Sequence, residues 1–369
     1  MTTNRAAVLI SAALAASLPP SHAFASHHRL PSSLALSRPP LPSRPRSHAI
    51  HATDAPSPPS PPSFLDRLDS LYRFSRPHTI RGTLLACFTG VGRALIENPI
   101  SLSAVPPLLP RALLGVLALL LGNLFIVGIN QIYDVEIDTV NKPFLPIAAG
   151  SLSPTRAWVI ITAAAVGGLA IVKSCFNPFV FWTYLFGCSV GGLYSVPPFH
   201  FKRSPLAAGL VIALCRGFLL NSVIYYATRD ALGLVWKWSA PVTFLARFMT
   251  VYAASIAVTK DLPDVQGDRK GGIETFASRF GWVEFQPRNV AFGASGVLLL
   301  NYVGAIATAL LSAPGVFRRG VMIGGHAAAA VWLIVSTLKL KAEEVSSIKE
   351  YYKQIWNLFY FEYLLYFCI

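Results

Sequence analysis

The chain has 369 residues, of which 53% are hydrophobic and 13% are charged, with a formal net charge of +14 and a mean hydropathy of +0.52. This composition is too apolar for a soluble globular domain and predicts a polytopic helical membrane protein. It argues against a nucleic-acid-binding protein, because no basic patch is interleaved with stacking aromatic residues and because Lys and Arg commonly flank membrane helices. The five cysteines have no CxxC or Cys/His spacing, which predicts free thiols.

The N-terminal 63 residues differ in composition from the rest. They are rich in Ser, Ala, Pro, Arg and His, contain the single acidic residue Asp54 and end in PSPPSPPS. Acid-poor leaders with Ser and Arg are typical of organelle transit peptides, although the apolar stretch AAVLISAALAASL also resembles a secretory signal. The long Ser/Pro/Arg continuation favours a disordered plastid transit peptide and linker over residues 1–63, followed by a membrane domain over residues 64–369.

The apolar segments of the membrane domain predict nine spans. They are predicted at residues 78–96, 111–131, 156–173, 178–195, 205–226, 240–259, 290–311, 319–338 and 354–369. Before the first, FLDRLDSLYRFSRPH alternates apolar and charged residues at helical spacing and predicts an amphipathic interfacial helix. The expected fold is all-α, with nine transmembrane helices around a central cavity.

The nine spans predict which loops share a side of the membrane. The amphipathic segment and the loops after the second, fourth, sixth and eighth spans lie on one side, which holds most of the Lys and Arg residues. The positive-inside bias therefore assigns this side to the stroma if the leader is plastidial. The motifs NQIYDVEID, YSVPPFHFKR and KDLPDVQGDRKGG all fall on it, which predicts one composite site in a multi-pass protein of the plastid envelope or thylakoid.

Two acidic motifs at helix ends are the strongest candidates for chemistry. Their polar residues recur mostly four apart, and like charges at this spacing on a helix repel each other, more so near the low dielectric of a membrane. Mg²⁺ relieves such repulsion and binds through a few carboxylates together with substrate phosphates. The candidate metal ligands are Asn130, Asp134, Asp138, Asp261, Asp264 and Asp268. Glu136 lies off this face and is expected to be structural. The alternative is that these residues are ordinary interfacial acids that face water. The presence of two similar motifs argues against it.

NQIYDVEID and KDLPDVQGD, together with YSVPPFHFKR and IWNLFYFEYLL, resemble the paired aspartate motifs of UbiA-type intramembrane prenyltransferases, in particular those that act on homogentisate. The resemblance extends over residues 70 to 366. It implies Mg²⁺-dependent, decarboxylating transfer of a solanesyl group from a prenyl diphosphate to homogentisate, giving a 2-methyl-6-prenyl-1,4-benzoquinol for plastoquinone biosynthesis. A phytyl or geranylgeranyl transferase of tocochromanol biosynthesis is the alternative. A cation-coupled transporter is the alternative from another class of protein. In a transporter, the acidic residues would be expected within the spans.

The resemblance and the neighbouring charges assign roles to further residues. The expected catalytic residues are Asp134, Asp138, Asp264, Asp268, Lys202 and Tyr194. The expected substrate-binding residues are Arg81, His78, Arg216, Lys260, Asn221 and Arg203. Arg216 is costly within an apolar span, so substrate contact or an internal ion pair is expected there. Arg247 matches no motif, and the loop from Gly271 to Arg288 departs from the family pattern.

Overall fold

The computed structural model describes residues 63–99, 105–270, 272, 274–277 and 286–369. The predicted leader, except for Ser63, and most of the loop from Gly271 to Arg288 lie outside the described residues. Over the described ranges the protein forms helices and no strand, which confirms the all-α class. The helices are α1 (Phe64–Phe74), α2 (Pro77–Glu97), α3 (Val105–Tyr133), α4 (Val135–Asn141), α5 (Pro154–Cys175), α6 (Pro178–Leu193), α7 (Pro205–Ala231), α8 (Ala240–Thr259), α9 (Val265–Lys270), α10 (Pro287–Leu311), α11 (Arg319–Leu338) and α12 (Val345–Cys368).

Six of these helices are long and apolar enough to cross a membrane: α3, α5, α7, α8, α10 and α11. The apolar helix α6 has 16 residues and is therefore shorter than a typical span. Helices α2 and α12 have 21 and 24 residues but carry more polar side chains. The described chain is therefore a multi-span helical protein, with a helix at each of the nine predicted positions.

The starts of several long helices follow from a polar residue placed just before the first turn. The side-chain oxygens of Ser153, Asn177, Ser204 and Ser239 each accept a hydrogen bond from the backbone N–H three residues ahead. Each of the four helices also has proline in its first two positions. Proline is tolerated there because the first backbone N–H groups of a helix have no partner within it.

The predicted amphipathic helix is α1, and it is anchored at its C-terminal end. Its exposed face carries Phe64 and Leu65, whereas Phe74 is fully buried. The Phe74 ring packs against Gly128 of α3, where an added Cβ would approach the ring to 2.8 Å. Gln131 of α3 donates a hydrogen bond of 2.7 Å to the Phe74 carbonyl oxygen. The helix is thus fixed at the end of α3 that carries the first acidic motif.

The long helices pack into a ring, of which one half is densely packed and the other half encloses a cavity. Helices α8, α10, α11 and α12 enclose a dense core that includes the fully buried side chains of Met249, Tyr302 and Phe359. Helix α12 also packs on α2 and closes the ring. Helices α2, α3, α6 and α7 surround an open cavity instead. Arg247 is exposed on α8 and does not line this cavity.

Helix α7 changes its winding where it meets α8. Residues Ala213–Leu219 adopt π-helical geometry, a form that occurs mostly as single turns and often at functional sites. Within this segment, Gly217 lies against the backbone of α8, and an added Cβ would meet the Thr250 Cα at 2.4 Å and the Met249 carbonyl oxygen at 2.7 Å. Only a residue without a side chain permits this approach.

Replacing Gly217 by Ala is expected to lower the melting temperature of the detergent-solubilised protein, because backbone atoms of α8 must move to admit the methyl group. Overpacking of this kind costs about 1–3 kcal/mol. The matched control is Gly209→Ala on the same helix, where an added Cβ has no atom within 4 Å. Equal melting temperatures for the two variants would contradict the proposed close contact.

Candidate active site

One continuous cavity of about 980 Å³ joins a charged end to a long apolar wall. Part of the lining of α3 recurs every three or four positions, which is the spacing of one helix face. This row contains Leu108, Ala112, Gly115, Leu119, Gly122, Ile126 and Asn130, and neighbouring positions from Val105 to Val127 also line the cavity. The charged end is formed where α3, α4, α8 and α9 meet, and the wall beyond it is mainly Leu, Ile, Val, Ala and Gly. The cavity is therefore amphipathic along its length.

The first acidic motif spans a break between two helices. Helix α3 ends at Tyr133 and α4 begins at Val135, with Asp134 as the connecting residue. The backbone N–H groups of Asp134 and Asp138 still bond to carbonyl oxygens four residues back. The Asn130 amide donates 2.7 Å to the Asp134 carboxylate and 3.2 Å to the Ser195 hydroxyl. The predicted common face is retained, because Asn130, Asp134 and Asp138 all line the cavity.

The second acidic motif follows α8 through a short 3₁₀ turn, Leu262–Asp264, into α9. Asp261, Asp264 and Asp268 all line the cavity. Asp261 and Asp268 are buried, with 8% and 7% of their surfaces exposed. Two of these carboxylates have a close partner. The Lys260 ammonium forms an ion pair with Asp261 at 2.7 Å, and the Asn141 amide donates a hydrogen bond of 3.3 Å to Asp268.

Asn141, the last residue of α4, and Lys142, which follows it, join the two motifs directly. The Lys142 ammonium contacts the Asp264 carboxylate and lies 3.9 Å from that of Asp138. Asn141 also accepts a hydrogen bond of 2.9 Å from the backbone N–H of Gly267. An added Cβ at Gly267 would overlap the Asn141 side chain, so this contact would have to change if the residue were larger. The structure therefore brings the two predicted motifs together at one end of the cavity.

A third cationic group comes from the YSVPPFHFKR loop. Lys202 is buried, with 7% of its surface exposed, and its ammonium contacts the Asp134 carboxylate. The backbone N–H of Lys202 donates 3.1 Å to the carbonyl oxygen of Tyr194, which fixes the loop beside the end of α6. The buried Tyr194 hydroxyl has no hydrogen-bond partner among the described residues and lies on the cavity lining. This loop thus adds a charge and an aromatic face to the site.

Most of the predicted site residues line the cavity, and three do not. The ten that line it are Asn130, Asp134, Asp138, Asp261, Asp264, Asp268, Lys202, Lys260, Tyr194 and Arg216, and His78 joins them at its mouth. The exceptions are Arg81, Arg203 and Asn221. Arg81 and Arg203 are exposed on the outside of α2 and of the 3₁₀ turn Phe201–Arg203. Asn221 is buried, and its amide donates to the backbone carbonyls of Gly217 and Arg216. It therefore braces the π-helical segment.

Sequence reasoning missed the linking role of Lys142 and the aromatic wall from α12. Lys142 lies four residues after Asp138, which is the spacing of a helical ion pair and could have indicated the contact. Trp356 and Tyr352 line the cavity beside Arg216. The Arg216 guanidinium lies 5.3 Å from the centre of the Trp356 ring, within the range of a cation–π interaction, and donates 3.0 Å to the Thr79 carbonyl oxygen. These contacts depend on tertiary packing.

The crowding of acids alters their protonation. Burial raises the pKa of Asp138 to about 6, although Arg76 and Lys142 oppose this shift. Burial, together with repulsion from Asp261 and Asp264, raises the pKa of Asp268 to about 7. Both groups carry their protons at a higher pH than an ordinary aspartate, because their charged forms are poorly solvated and lie near like charges.

The donor set fits a divalent cation that is completed by a ligand. No group of three or more His, Cys, Asp or Glu side chains within the described ranges is arranged to hold a metal by itself. However, Asp138 Oδ2 is buried without a hydrogen-bond partner, and five carboxylates meet four cationic groups, Arg76, Lys142, Lys202 and Lys260. A phosphate ligand would add negative charge to a site that already has an excess of carboxylates. Mg²⁺ suits this situation, since it uses one or two carboxylates plus phosphate oxygens.

Comparison with known proteins places the chain in a family. The model of the UbiA prenyltransferase family matches residues 85–358. A protein of Oryza sativa subsp. japonica named probable homogentisate phytyltransferase 2, chloroplastic, is 52% identical over 303 residues, which cover 82% of this chain and 78% of that protein. The chloroplastic homogentisate solanesyltransferase of Arabidopsis thaliana is 50% identical over 308 residues, with the same two coverages.

Solved structures of similar fold agree with this assignment. A UbiA homologue from Archaeoglobus fulgidus, described as bound to GPP and Mg²⁺, has a TM-score of 0.55 and 19% sequence identity and covers 80% of this chain and 98% of its own. The apo UbiA homologue from Aeropyrum pernix K1 has a TM-score of 0.54 and 16% identity, with coverages of 77% and 95%. At these identities the likeness concerns the fold alone.

Replacing Lys142 by Ala is expected to lower the melting temperature of the metal-free protein, since Asp138 and Asp264 then repel each other without a bridging charge. The loss of one partner from such a partly buried pair costs about 1–3 kcal/mol. Added Mg²⁺ should restore more stability to this variant than to the wild type. Lys353→Ala, which removes an exposed pair with Glu350, is the control and should change neither value. A variant that is as stable as the wild type without metal would contradict the bridging role.

Mg²⁺ binding should weaken as the pH falls, because the cation must displace protons from Asp138 and Asp268. Their pKa values of about 6 and about 7 mean that both are ionised near pH 8 and largely protonated near pH 5.5. The Mg²⁺-induced rise in melting temperature is therefore expected at the higher pH and should largely vanish at the lower. The exposed Glu136→Gln variant should keep this pH dependence, and Asp268→Asn should lose most of the rise even near pH 8. A Mg²⁺ effect that is independent of pH would refute this account.

Proposed function

Since this chain belongs to the UbiA prenyltransferase family and is a prenyltransferase, we propose that it transfers a solanesyl group from its diphosphate to homogentisate, with Mg²⁺ as the cofactor. The observation that carries the proposal is the amphipathic cavity, which joins paired aspartate motifs to a long apolar wall. Such a cavity suits a donor with a charged diphosphate and a long hydrocarbon tail. The product would be a 2-methyl-6-solanesyl-1,4-benzoquinol, an intermediate of plastoquinone synthesis.

The length of the apolar wall supports a donor longer than four isoprene units. Val105 and Asn130 bound the lining of α3 and lie twenty-five residues apart, which corresponds to about 38 Å at the helical rise. Each isoprene unit adds four carbon–carbon bonds, or about 5 Å in an extended chain, so four units span about 20 Å and nine span about 45 Å. A four-unit tail would leave the far part of the wall uncovered. A nine-unit tail would cover it and must bend.

The charged residues would hold the diphosphate and assist its departure. The metal ligands would be drawn from Asn130, Asp134, Asp138, Asp261, Asp264 and Asp268. When bound, Mg²⁺ would neutralise the phosphate oxygens and stabilise the diphosphate as a leaving group. The ammonium groups of Lys142, Lys202 and Lys260 are paired with these carboxylates and could turn from them to the phosphate oxygens. The donor C1–O bond then breaks, and its electron pair leaves with the diphosphate.

The acceptor would bind beside the diphosphate, against α2 and α12. Here the cavity is lined by His78, Arg216 and Trp356, and the His78 and Trp356 rings meet edge to face with 5.1 Å between centroids. The Nε atom of Arg216 is buried without a hydrogen-bond partner, which leaves a donor for the homogentisate carboxylate. An aromatic ring held here can attack the allylic cation. The ring proton is lost, the carboxylate leaves as CO₂, and the resulting benzylic carbon takes up a proton to become the methyl group.

A phytyl or geranylgeranyl donor is the second candidate. It is favoured by the 52% identity to the rice protein named as a phytyltransferase, which is as high as the identity to the solanesyltransferase. The lining length argues for the longer donor. A cation-coupled transporter fits less well, because the acidic motifs lie at the ends of α3 and α8 and not within them.

The setting that we propose is a plastid membrane, with residues 1–63 as the transit peptide and residues 64–369 as a domain of nine spans whose site faces the stroma. Helices α2, α6 and α12 would complete the six apolar spans. Exposed apolar residues of α1 would lie in the lipid interface on the stromal side. The chloroplastic designation of the rice and Arabidopsis proteins supports the compartment.

Membranes that contain the protein, supplied with carboxyl-labelled homogentisate and Mg²⁺, are expected to release labelled CO₂ with prenyl diphosphates, and fastest with the nine-unit donor. Asp134→Ala and Asp264→Ala should abolish release while the proteins remain inserted, because each removes a carboxylate at the charged end. Glu136→Ala is the control, since Glu136 is exposed and does not line the cavity. No release with any donor would eliminate homogentisate as the acceptor, and preference for the four-unit donor would favour the second candidate.

Donor binding in the cavity should protect specific thiols. Cys188 and Cys215 line the apolar wall, whereas Cys175 and Cys368 do not. A non-hydrolysable solanesyl thiodiphosphate with Mg²⁺ is expected to slow alkylation of Cys188 and Cys215 by N-ethylmaleimide, measured residue by residue by mass spectrometry. Cys175 and Cys368 serve as internal controls with unchanged rates. Equal rates at all four thiols with and without donor would contradict tail binding along this wall.

A further inference from the structure

One cationic side chain on the cavity lining has no partner among the described residues. Eight Lys and Arg residues line the cavity, and seven of them have an ion pair or a hydrogen bond: Arg73, Arg76, Arg111, Lys142, Lys202, Arg216 and Lys260. Lys349 is the eighth. It is exposed, and its ammonium has neither kind of partner in the part of the chain that the structure describes. Its charge is therefore available to an anion that arrives from water.

Lys349 begins a short stripe of cavity-lining residues on α12. The helix contributes Lys349, Tyr352 and Trp356 to the lining. They are three and four residues apart, which places them on one face of the helix. Lys349 and Trp356 are separated by about 10 Å at the helical rise. Helix α12 also packs on the 3₁₀ turn Leu262–Asp264, so the stripe lies beside the second acidic motif. It leads from an exposed cation to the buried Trp356 ring.

The inner end of the stripe is the region where the acceptor is proposed to bind. The Tyr352 and Trp356 rings meet edge to face with 6.4 Å between centroids. Trp356 in turn contacts the His78 ring and lies 5.3 Å from the Arg216 guanidinium. The Nε1 of Trp356 and the Nε of Arg216 are both buried without a hydrogen-bond partner among the described residues. Aromatic faces next to two such donors suit a planar ring that bears a carboxylate.

The stripe differs from the wall that would hold the donor tail. That wall is mainly aliphatic and comes from α2, α3, α6 and α7, whereas α12 contributes no aliphatic side chain to the lining. The ammonium groups that would meet the diphosphate are those already paired with the acidic motifs. A lysine without a carboxylate partner, in front of two aromatic rings, instead suits a small aromatic anion that is soluble in water.

We propose that this stripe is the entry route of the acceptor, and that Lys349 recruits the acceptor carboxylate by electrostatic attraction. The inference rests on the proposed function, since homogentisate is the anionic acceptor named there. The carboxylate would meet the Lys349 ammonium first and Arg216 afterwards, while its ring passes Tyr352 and Trp356. An exposed charge at the rim of a site mainly changes the rate of encounter and its dependence on salt. Lys349 therefore acts before the bond-forming step and takes no part in it.

Steady-state kinetics at low and high KCl test the recruiting role, with solanesyl diphosphate and Mg²⁺ saturating. Lys349→Gln is expected to lower kcat/KM for homogentisate by about threefold to tenfold at low salt and to reduce its salt dependence. The kcat and the KM for the donor should stay at their wild-type values, and Lys349→Arg should restore kcat/KM. The matched control is Lys353→Gln, which removes an exposed cation of α12 that does not line the cavity. This control should behave as the wild type.

An uncharged analogue separates the effect of charge from a change in structure. The methyl ester of homogentisate keeps the ring and lacks the negative charge. Association of each compound with the complex of protein, Mg²⁺ and nine-unit thiodiphosphate is followed by stopped-flow tryptophan fluorescence. Lys349→Gln should slow association of the acid by about threefold to tenfold and leave that of the ester unchanged. Equal slowing of both compounds would overturn recruitment by charge, because the variant would then have altered the mouth itself.

The outcomes separate this inference from the proposed function. If the wild type prenylates homogentisate and Lys349→Gln keeps the wild-type kcat/KM at low salt, the entry route is wrong and the function stands. A raised KM for the donor, or an equal loss in Lys353→Gln, would also overturn the route. If no donor supports prenylation of homogentisate, 2,5-dihydroxybenzoate and its methyl ester replace it in the association experiment. Slower association of that acid alone in Lys349→Gln would support the route while the proposed acceptor falls, and unchanged association would overturn both.

Discussion

The structure depends on keeping five mutually repelling carboxylates together at the end of an apolar cavity. At an effective dielectric of about 20, two unit charges 4 Å apart interact with about 4 kcal/mol, so such a cluster cannot persist without compensating charge. Lys142, Lys202 and Lys260 supply this charge, and each comes from a loop or short helix at the same side of the ring. The same ammonium groups are suited to phosphate oxygens. In the proposed function, one set of side chains would therefore both neutralise the resting site and bind the anionic substrate.

One part of the fold is densely packed, and another part encloses the cavity. The dense core among α8, α10, α11 and α12 holds the second acidic motif at the end of α8, while α2, α3, α6 and α7 leave room for a hydrocarbon chain. The two parts meet along α7, whose π-helical turn brings Gly217 onto the α8 backbone and turns Arg216 to the cavity. Small residues make these approaches possible, at Gly217 between α7 and α8 and at Gly267 between α4 and α9. The site is therefore held by backbone contacts as well as by ion pairs.

Sequence reasoning predicted the all-α fold, the helix positions and the convergence of the acidic motifs, because apolar period and carboxylate spacing are local signals. It could not predict which basic residue forms an ion pair with which acidic residue. Lys142 was visible only as a loop cation, and its contact with Asp264 depends on how α4 packs on α9. Arg81 and Asn221 were expected at the substrate, but the first is exposed and the second braces the α7 backbone. The direction in which a helical side chain points relative to the cavity is set by tertiary packing, and a single sequence does not give it.

The central claim is that the two acidic motifs together hold Mg²⁺ and the diphosphate of a prenyl donor. The most direct measurement is an experimental structure of the protein with Mn²⁺ and a nine-unit prenyl thiodiphosphate, in which anomalous scattering locates the metal. The account predicts an anomalous peak between Asp138 and Asp264, with Lys142 turned away from Asp264 to a phosphate oxygen and the tail along α3. A peak bound by one motif alone, or a diphosphate outside the charged end of the cavity, would contradict it.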